Sequence, residues 1–189
     1  MISRPVKDSA VRYLVDAGPL VGAFWAADQW HPWSRKTLAA LGCEVYTTET
    51  VFAEAAHLLK PYPPALLQLL KALHNGSVRF LPVYPEHAPR CSELVMKYPA
   101  RMDVGDASLV ILSELYPRAR LVTLDLADFG IYRRRDGLAV PLLAPGREGR
   151  EDLAVEESQA KYRRLPRRKR RPSTRLIPAV TLPVVSMTT

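Results

Sequence analysis

Short apolar runs alternate with longer amphipathic segments along the first 145 residues. The apolar runs predict strands at residues 12–16, 45–48, 78–83 and 120–125, with a short edge strand at 138–143. The segments between them predict helices from Pro19 onward and over residues 32–41, 50–60, 65–74, 86–98 and 103–115. Apolar strands that alternate with helices are typical of a parallel sheet covered on both faces. The pattern therefore predicts a three-layer α/β/α fold with a central, mostly parallel sheet.

The pattern stops at Pro145, and charge blocks and prolines without a sustained period follow it. We therefore expect one α/β domain over residues 11–145 and a basic, flexible tail over residues 146–189, with a short helix near residues 152–164. A chain of 189 residues is long enough for one such domain with a real core and too short for two.

The formal net charge of +8 is concentrated in this tail. Nine basic residues lie between Lys161 and Arg175, so residues 1–160 carry about −1. One reading makes the tail an RNA-binding arm, because Lys and Arg neutralise phosphates without reading bases. The alternatives are a solvated terminus or a segment that contacts an acidic partner. The candidate phosphate contacts are Arg133, Arg134 and Arg135, which stand between the predicted strand at 120–125 and the edge strand, and Arg167, Arg168, Lys169 and Arg170 in the tail.

Other residue types narrow the range of functions. Cys43 and Cys91 show no metal-binding spacing, so we expect neither a zinc site nor a disulfide framework. No apolar run is long enough to cross a bilayer, and the first residues lack the apolar centre of a signal peptide, which predicts a cytoplasmic protein without a membrane partner. His31 is more often a packed or hydrogen-bonded residue at a helix start than a general base.

Carboxylates gather where the predicted strands end. Asp16 and Asp125 each close an apolar run, and Asp103 and Asp106 stand at the head of a helix that follows a strand. In an open parallel sheet the functional crevice lies beyond the carboxyl ends of the strands. These four acids are therefore expected along one edge of the sheet.

The spacing of Asp103 and Asp106 has two explanations. Both fit a helix start, with Asp103 as the N-cap and Asp106 three residues later near the positive end of the helix dipole. A cap needs one acid, so we assign Asp103 mainly to the cap and Asp106 to chemistry, and the reverse assignment stays open.

Glu54 lies in the middle of a predicted helix, on or next to its buried face, beside Val51 and Leu58. A carboxylate against apolar surface calls for a cation, a hydrogen-bond network or a raised pKa, and no Lys or Arg stands at helical spacing from it. Clustered carboxylates without Cys or paired His suit Mg²⁺ or Mn²⁺. The associated chemistry is hydrolysis of a phosphodiester by metal-activated water.

Four stretches, LVDAGPL, TTETVFAEAAHLL, DVGDASLVIL and LVTLDLADF, stand in an order that resembles the PIN domain. The likeness is greatest to bacterial single-domain PIN ribonucleases, including VapC-type toxins, and it covers about residues 11–145. It implies an acidic quartet of catalytic and metal-binding residues at Asp16, Glu54, Asp106 and Asp125. It also implies that Thr123 holds a ligand carboxylate or a water, and that Asp103 and Asp128 are supporting acids.

The resemblance further implies a Mg²⁺- or Mn²⁺-dependent endoribonuclease with an RNA substrate, which in toxin members is held inactive by an antitoxin protein and is often a homodimer. Two features depart from the small toxins. Ala17 stands where the family usually has a polar residue, and the basic tail lies outside the motifs. The resemblance therefore implies no structure or function for the tail.

Two other functions compete with this interpretation. A PIN fold can act as a non-catalytic RNA-binding or protein-interaction module, although an intact quartet argues against that. A phosphotransferase that forms an aspartyl phosphate also uses strand-end carboxylates. The motif at Asp16 lacks the second acid that a dehalogenase-type phosphatase needs, and no lysine stands where a receiver domain would require one.

Overall fold

The computed structural model describes residues 11–146, in which five strands form a single sheet. The strands are β1 (Tyr13–Val15), β2 (Val45–Thr47), β3 (Val78–Phe80), β4 (Arg120–Val122) and β5 (Leu142–Leu143). Their order is β3-β2-β1-β4-β5, and every pair of neighbours is parallel. The predicted three-layer α/β/α fold is confirmed. The tail, with its predicted helix and the candidate contacts Arg167, Arg168, Lys169 and Arg170, lies outside the described residues.

Seven helices accompany the sheet within residues 11–146. They are α1 (Ala17–Phe24), α2 (His31–Ala40), α3 (Glu49–Leu58), α4 (Pro63–His74), α5 (Ala88–Lys97), α6 (Val104–Leu115) and α7 (Leu126–Phe129). The sequence predicted the first six and read the segment of α7 as a loop, which is wrong. A helix of four residues is too short to display an apolar period, so only its capping residue could have revealed it.

The core lies around the central strands and α6. Leu14 of β1 and Leu121 of β4 are fully buried, and α6 is buried along almost its whole length from Gly105 to Ser113. Helix α6 contacts β1, β4, α3 and α5. The apolar run that follows Asp106 is therefore a helix buried between the sheet and its neighbours, and its polar start is the part that reaches the edge of the sheet.

Several boundaries differ from the predicted ones. Strand β5 has two residues, and Ala139 instead forms an isolated antiparallel bridge with Arg133. Helix α4 begins at Pro63 rather than Ala65, because proline has no backbone N–H to lose in the first turn of a helix. Strand β4 ends at Val122, three residues before Asp125. The chain therefore turns at the end of β4 before it reaches this acid.

Among the helices of residues 11–146, none is both long enough and apolar enough to cross a membrane.

Candidate active site

The carboxyl ends of β1 and β4 lie side by side and carry two of the predicted acids. Asp16 follows β1 and caps α1, with its Oδ1 accepting a hydrogen bond from the backbone N–H of Ala17 at 2.7 Å. Asp125 caps α7, with its Oδ1 accepting from the backbone N–H of Asp128 at 2.8 Å. Each of these acids therefore also stabilises the start of a helix.

Thr123 joins these two acids. Its hydroxyl donates to Asp16 Oδ2 at 2.8 Å and accepts from the backbone N–H of Asp125 at 3.0 Å. The side chain is fully buried, so these bonds are shielded from water. Thr123 thus fixes the orientation of the Asp16 carboxylate, and its role beside a metal ligand, which the resemblance implies, stays a prediction.

Asp103 and Asp106 stand together at the start of α6. Asp103 Oδ1 accepts a hydrogen bond from the backbone N–H of Asp106 at 2.8 Å, which makes Asp103 the N-cap. The carboxylate of Asp106 accepts a bond from the Tyr132 hydroxyl at Oδ2, at 3.0 Å. Asp103 therefore has the predicted capping role, and Asp106 is not needed for the cap.

Glu54 reaches the same cluster from α3. A Cβ placed on Gly105 would lie 3.2 Å from Asp103 Oδ1 and 3.7 Å from Glu54 Oε2, so both carboxylates border the start of α6. Glu54 is nevertheless exposed, and Leu58, which had suggested a buried face, is 48% exposed. Glu54 therefore lies beside the buried face of α3 rather than on it.

A buried pair of hydroxyl groups holds α3 against α6. Thr48 caps α3, with its Oγ1 accepting from the backbone N–H of Val51, and the same Oγ1 lies 2.8 Å from Ser108 Oγ. Ser108 Oγ also donates to the carbonyl of Gly105 at 2.6 Å. This pair connects the starts of the two helices that carry Glu54 and Asp106.

Burial and neighbouring negative charges raise the pKa of two acids of the site, Asp106 and Asp16. Burial raises the pKa of Asp106 to about 7, and the charges of Asp103, Asp16 and Asp125 act in the same direction against the Tyr132 hydrogen bond. Burial is also the main cause of the raised pKa of Asp16, with smaller contributions from the charges of Asp125 and Asp103. These electrostatic effects show that the acids lie close enough to repel one another.

The pKa of Glu54 is raised as well, by partial desolvation and then by the charges of Asp16 and Asp103. No described Lys or Arg forms an ion pair with Asp16, Glu54, Asp103, Asp106 or Asp125 within residues 11–146. The site therefore gathers negative charge that the described part of the protein does not balance.

The donor chemistry suits a hard divalent cation, because every candidate ligand is a carboxylate oxygen. In the described range, however, no three Asp, Glu, His or Cys side chains come close enough together to enclose an ion. Mg²⁺ commonly keeps several waters and takes only one or two carboxylates directly, so the donor set fits such an ion. The metal-binding roles of the quartet stay a prediction.

The remaining site residues predicted from the sequence form contacts outside the cluster of Asp16, Glu54, Asp103, Asp106 and Asp125. Asp128 forms an ion pair with Arg101, from its Oδ1 to Nη1 at 2.6 Å. Arg133 donates from Nη1 to the carbonyls of Gly130 and Tyr132. Arg135 is exposed, and its Nη2 lies 3.6 Å from Glu93.

Arg134 is 7% exposed, and its Nη1 donates to the carbonyls of Ser113 and Pro117. A guanidinium buried in this way cannot reach a surface phosphate. The prediction that Arg134 contacts nucleic acid is therefore wrong, and the residue instead ties its loop to the end of α6.

Two residues at the site were not found from the sequence. Tyr132 is fully buried and reaches Asp106, and Arg101 pairs with Asp128. Both follow from tertiary packing between segments about thirty residues apart, and their local sequence carries no pattern that predicts it.

The other polar candidates are structural. The Nδ1 of His31 lies 2.7 Å from the carbonyl of Gly22, which agrees with a hydrogen-bonding role at a helix start. Cys43 and Cys91 are free cysteines, and the Cys91 sulfur accepts a hydrogen bond from the Tyr84 hydroxyl.

Comparison with known proteins gives a likeness in structure alone. No family model matches the chain, and no curated protein matches it in sequence. The fold is similar to the crystal structure of VapC20 from Mycobacterium tuberculosis, a Sarcin-Ricin loop cleaving toxin. The TM-score is 0.55 at 17% sequence identity, over 61% of this chain and 91% of that one. This likeness supports a PIN-like fold.

Proposed function

We propose that this protein is a metal-dependent endoribonuclease that hydrolyses RNA phosphodiesters at the carboxyl edge of its sheet. The observation that carries the proposal is the gathering of five carboxylates without a described cation partner, with the pKa of Asp106 raised to about 7. Such a site is unfavourable unless a cation binds there, and perturbed carboxylates in this position are typical of functional sites.

The proposed cofactor is Mg²⁺ or Mn²⁺, held by Asp16, Glu54, Asp106 and Asp125, directly or through water. When bound, such an ion lowers the pKa of a coordinated water and stabilises charge on the phosphate. Thr123 keeps the Asp16 carboxylate in one orientation, and the Tyr132 hydroxyl holds Oδ2 of Asp106. Asp106 Oδ1 has no hydrogen-bond partner among the described residues and is the oxygen that we assign to the ion.

The likeness to VapC20 supports a finer proposal, that this protein is the toxin of a toxin–antitoxin pair. That neighbour is described as cleaving the Sarcin-Ricin loop, so a hairpin with the sequence of this ribosomal loop is the first RNA to test. An antitoxin partner and a homodimer belong to the same proposal, and both rest on the resemblance to VapC-type toxins.

A non-catalytic RNA-binding or protein-interaction module with the same fold is the second candidate. One observation favours it, which is that no three metal-ligating side chains within residues 11–146 are already close enough to enclose an ion. The two candidates differ in whether a divalent metal ion allows the protein to cut RNA.

Cleavage of structured RNAs by the purified protein tests the proposal. We expect cleavage with Mg²⁺ or Mn²⁺ and none with EDTA. Asp16→Asn should lower the rate by at least about a hundredfold, since residues that only support metal ligands already account for 10–100-fold effects. Asp136→Asn is the matched control, because Asp136 is an exposed acid in a turn near Arg134 and away from the cluster.

The same assay ranks the two acids at the start of α6. Asp106→Asn should abolish cleavage, whereas Asp103→Asn should cost less, because an asparagine can still cap the helix. The reverse ranking would move the ligand role to Asp103. Cutting that persists in EDTA would reject the metal-dependent mechanism. No cutting of any RNA with either ion would reject the catalytic proposal in favour of a binding module.

A further inference from the structure

Arg101 is tied to the carboxylate cluster from two sides. Its carbonyl lies 3.1 Å from the Tyr132 hydroxyl, which is also within hydrogen-bond distance of Asp106 Oδ2. Its guanidinium pairs with Asp128, whose backbone N–H donates to Asp125 Oδ1. Arg101 therefore lies one contact away from Asp106 and Asp125, through Tyr132 and Asp128, and it neutralises none of the proposed metal ligands.

The guanidinium of Arg101 is accessible to a ligand. Its side chain is 57% exposed, and an ion pair at this degree of exposure is weak in water. Arg90 contrasts with it, since that side chain is 12% exposed and bonds to Glu114 through two nitrogens. A phosphate can replace Asp128 at Arg101 at little cost, whereas Arg90 is locked in place.

A second cation, Lys97, lies near Arg101 in the sequence and contacts the ring of Tyr98. Lys97 Nζ lies 5.2 Å from the centre of the Tyr98 ring, and the Tyr98 and Tyr132 ring centres are 5.0 Å apart. The backbone N–H of Arg133 donates to the Tyr98 hydroxyl. Tyr132 is fully buried, so Tyr98 is the ring of this pair that reaches the surface, with Lys97 over it and Arg101 three residues further along the chain. Cations beside accessible aromatic rings are typical of surfaces that bind single-stranded nucleic acid.

We propose that Arg101 binds a backbone phosphate of the RNA next to the one that is cut, and that it exchanges Asp128 for that phosphate. The planar guanidinium can donate to two phosphate oxygens at once, which a lysine cannot do. Lys97 provides a further positive charge for the RNA strand beyond Tyr98. The inference rests on the proposed function, because it assigns the RNA strand a course past the carboxylates.

The test is binding of a short fluorescein-labelled single-stranded RNA to the full chain, measured by anisotropy in EDTA over a range of salt concentrations. Arg101→Gln should weaken binding about fivefold near 0.1 M salt and make the log–log salt slope shallower by about 0.7, the value for one phosphate contact with a single strand. Arg101→Lys should keep the slope, because it keeps the charge.

Arg79→Gln is the matched control. Arg79 is 52% exposed and pairs with Glu44, which precedes β2 at the opposite edge of the sheet. Its loss removes the same charge away from the site, so the slope should stay that of the unmodified protein. An Arg101→Gln slope equal to that of Arg79→Gln would overturn the inference, and so would the absence of RNA binding by the unmodified protein.

Cleavage with Mg²⁺ or Mn²⁺ is measured on the same preparations and tests the proposed function separately. If the unmodified protein cuts RNA and Arg101→Gln binds like the control, the inference fails and the nuclease stands. If the unmodified protein binds RNA without cutting it and Arg101→Gln has the shallower slope, the phosphate contact stands and the catalytic proposal fails.

Discussion

Opposing effects act on the pKa of Asp106. This side chain is partly buried and surrounded by other acids, which favour its protonated form, and its carboxylate accepts a hydrogen bond that favours the ionised form. The net result is a pKa of about 7 in place of 3.8. Without a bound cation, folding therefore makes this carboxyl group a weaker acid than it is in the unfolded chain.

This shift predicts how stability depends on pH. Between about pH 4 and pH 7 the folded protein binds more protons than the unfolded chain, so the Asp106 contribution is lost as the pH rises through that range. The raised pKa values of Asp16 and Glu54 act in the same direction. In EDTA, the free energy of unfolding of Asp106→Asn minus that of the unmodified protein should therefore be larger at about pH 7.5 than at about pH 5.

Urea unfolding at the two pH values measures this difference. Asp136→Asn removes an exposed acid that forms an ion pair with Arg134, so it should differ from the unmodified protein by the same amount at both pH values. A difference between Asp106→Asn and the unmodified protein that does not change with pH would contradict the assignment of the raised pKa to Asp106.

Individual acids were predictable to different degrees. Asp16 and Asp125 follow apolar runs, and a strand end is visible in a sequence. The surroundings of Glu54 could not be predicted from the sequence, because the exposure of Leu58 depends on where α3 packs. The contacts of Tyr132 and Arg134 were also not predictable, since the partners of each residue are distant in the sequence and close only in the fold.

At the scale of elements, the contact between α3 and α6 depends on the hydroxyl pair of Thr48 and Ser108. Both side chains are buried, and Ser108→Ala leaves the Thr48 O–H without an acceptor, although the Thr48 oxygen still accepts from the backbone N–H of Val51. An unsatisfied buried hydroxyl costs about 1–3 kcal/mol, so the free energy of unfolding should fall by that amount.

Urea unfolding of Ser108→Ala measures this loss, with Ser92→Ala as its control. Ser92 also donates to a carbonyl within its own helix, but it is exposed, so its loss should change stability by less than about 0.5 kcal/mol. Equal effects of the two variants would show that the hydroxyl pair does not hold the helices together.

The sequence predicted the existence and type of every long element, because alternating apolar runs and helical periods are local signals. It missed α7 and the true length of β5. Both elements are short, and tertiary contacts rather than local propensity decide them, such as the bond from the backbone N–H of Thr123 to the carbonyl of Leu143.

At the scale of the whole molecule, the proposed metal site predicts that divalent metal ions stabilise the fold. The proposed ligands come from β1, α3, α6 and the turn after β4, so an ion that binds them joins elements that are distant along the chain. At a Mg²⁺ concentration about a hundred times the dissociation constant, the free energy of unfolding should rise by about 2.7 kcal/mol.

Thermal unfolding with Mg²⁺ or EDTA checks this rise. Asp16→Asn should lose most of it and Asp136→Asn should keep it, with NaCl at equal ionic strength as the baseline. An equal rise in both variants would mean that Mg²⁺ acts through general screening of charge rather than at the cluster.

The fold as a whole followed from the sequence because one domain of alternating strands and helices has few alternatives. For the site, only its general position at one edge of the sheet could be predicted from the sequence. A sheet edge can be predicted from strand ends, but the orientation of each carboxylate depends on bonds such as that from Thr123 to Asp16, which join residues far apart in the chain.

The parallel direction of β5 makes the two ends of the described chain unequal as points of attachment. Leu143 lies beside Thr123, so the chain leaves β5 at the edge that carries the acids, whereas the exposed Arg12 precedes β1 at the opposite edge. A biosensor surface coupled near Arg12 would leave the edge with the acids open to a bulky RNA. A dye coupled near Gly146, three residues after β5, would be attached on the side of the sheet that carries the acids.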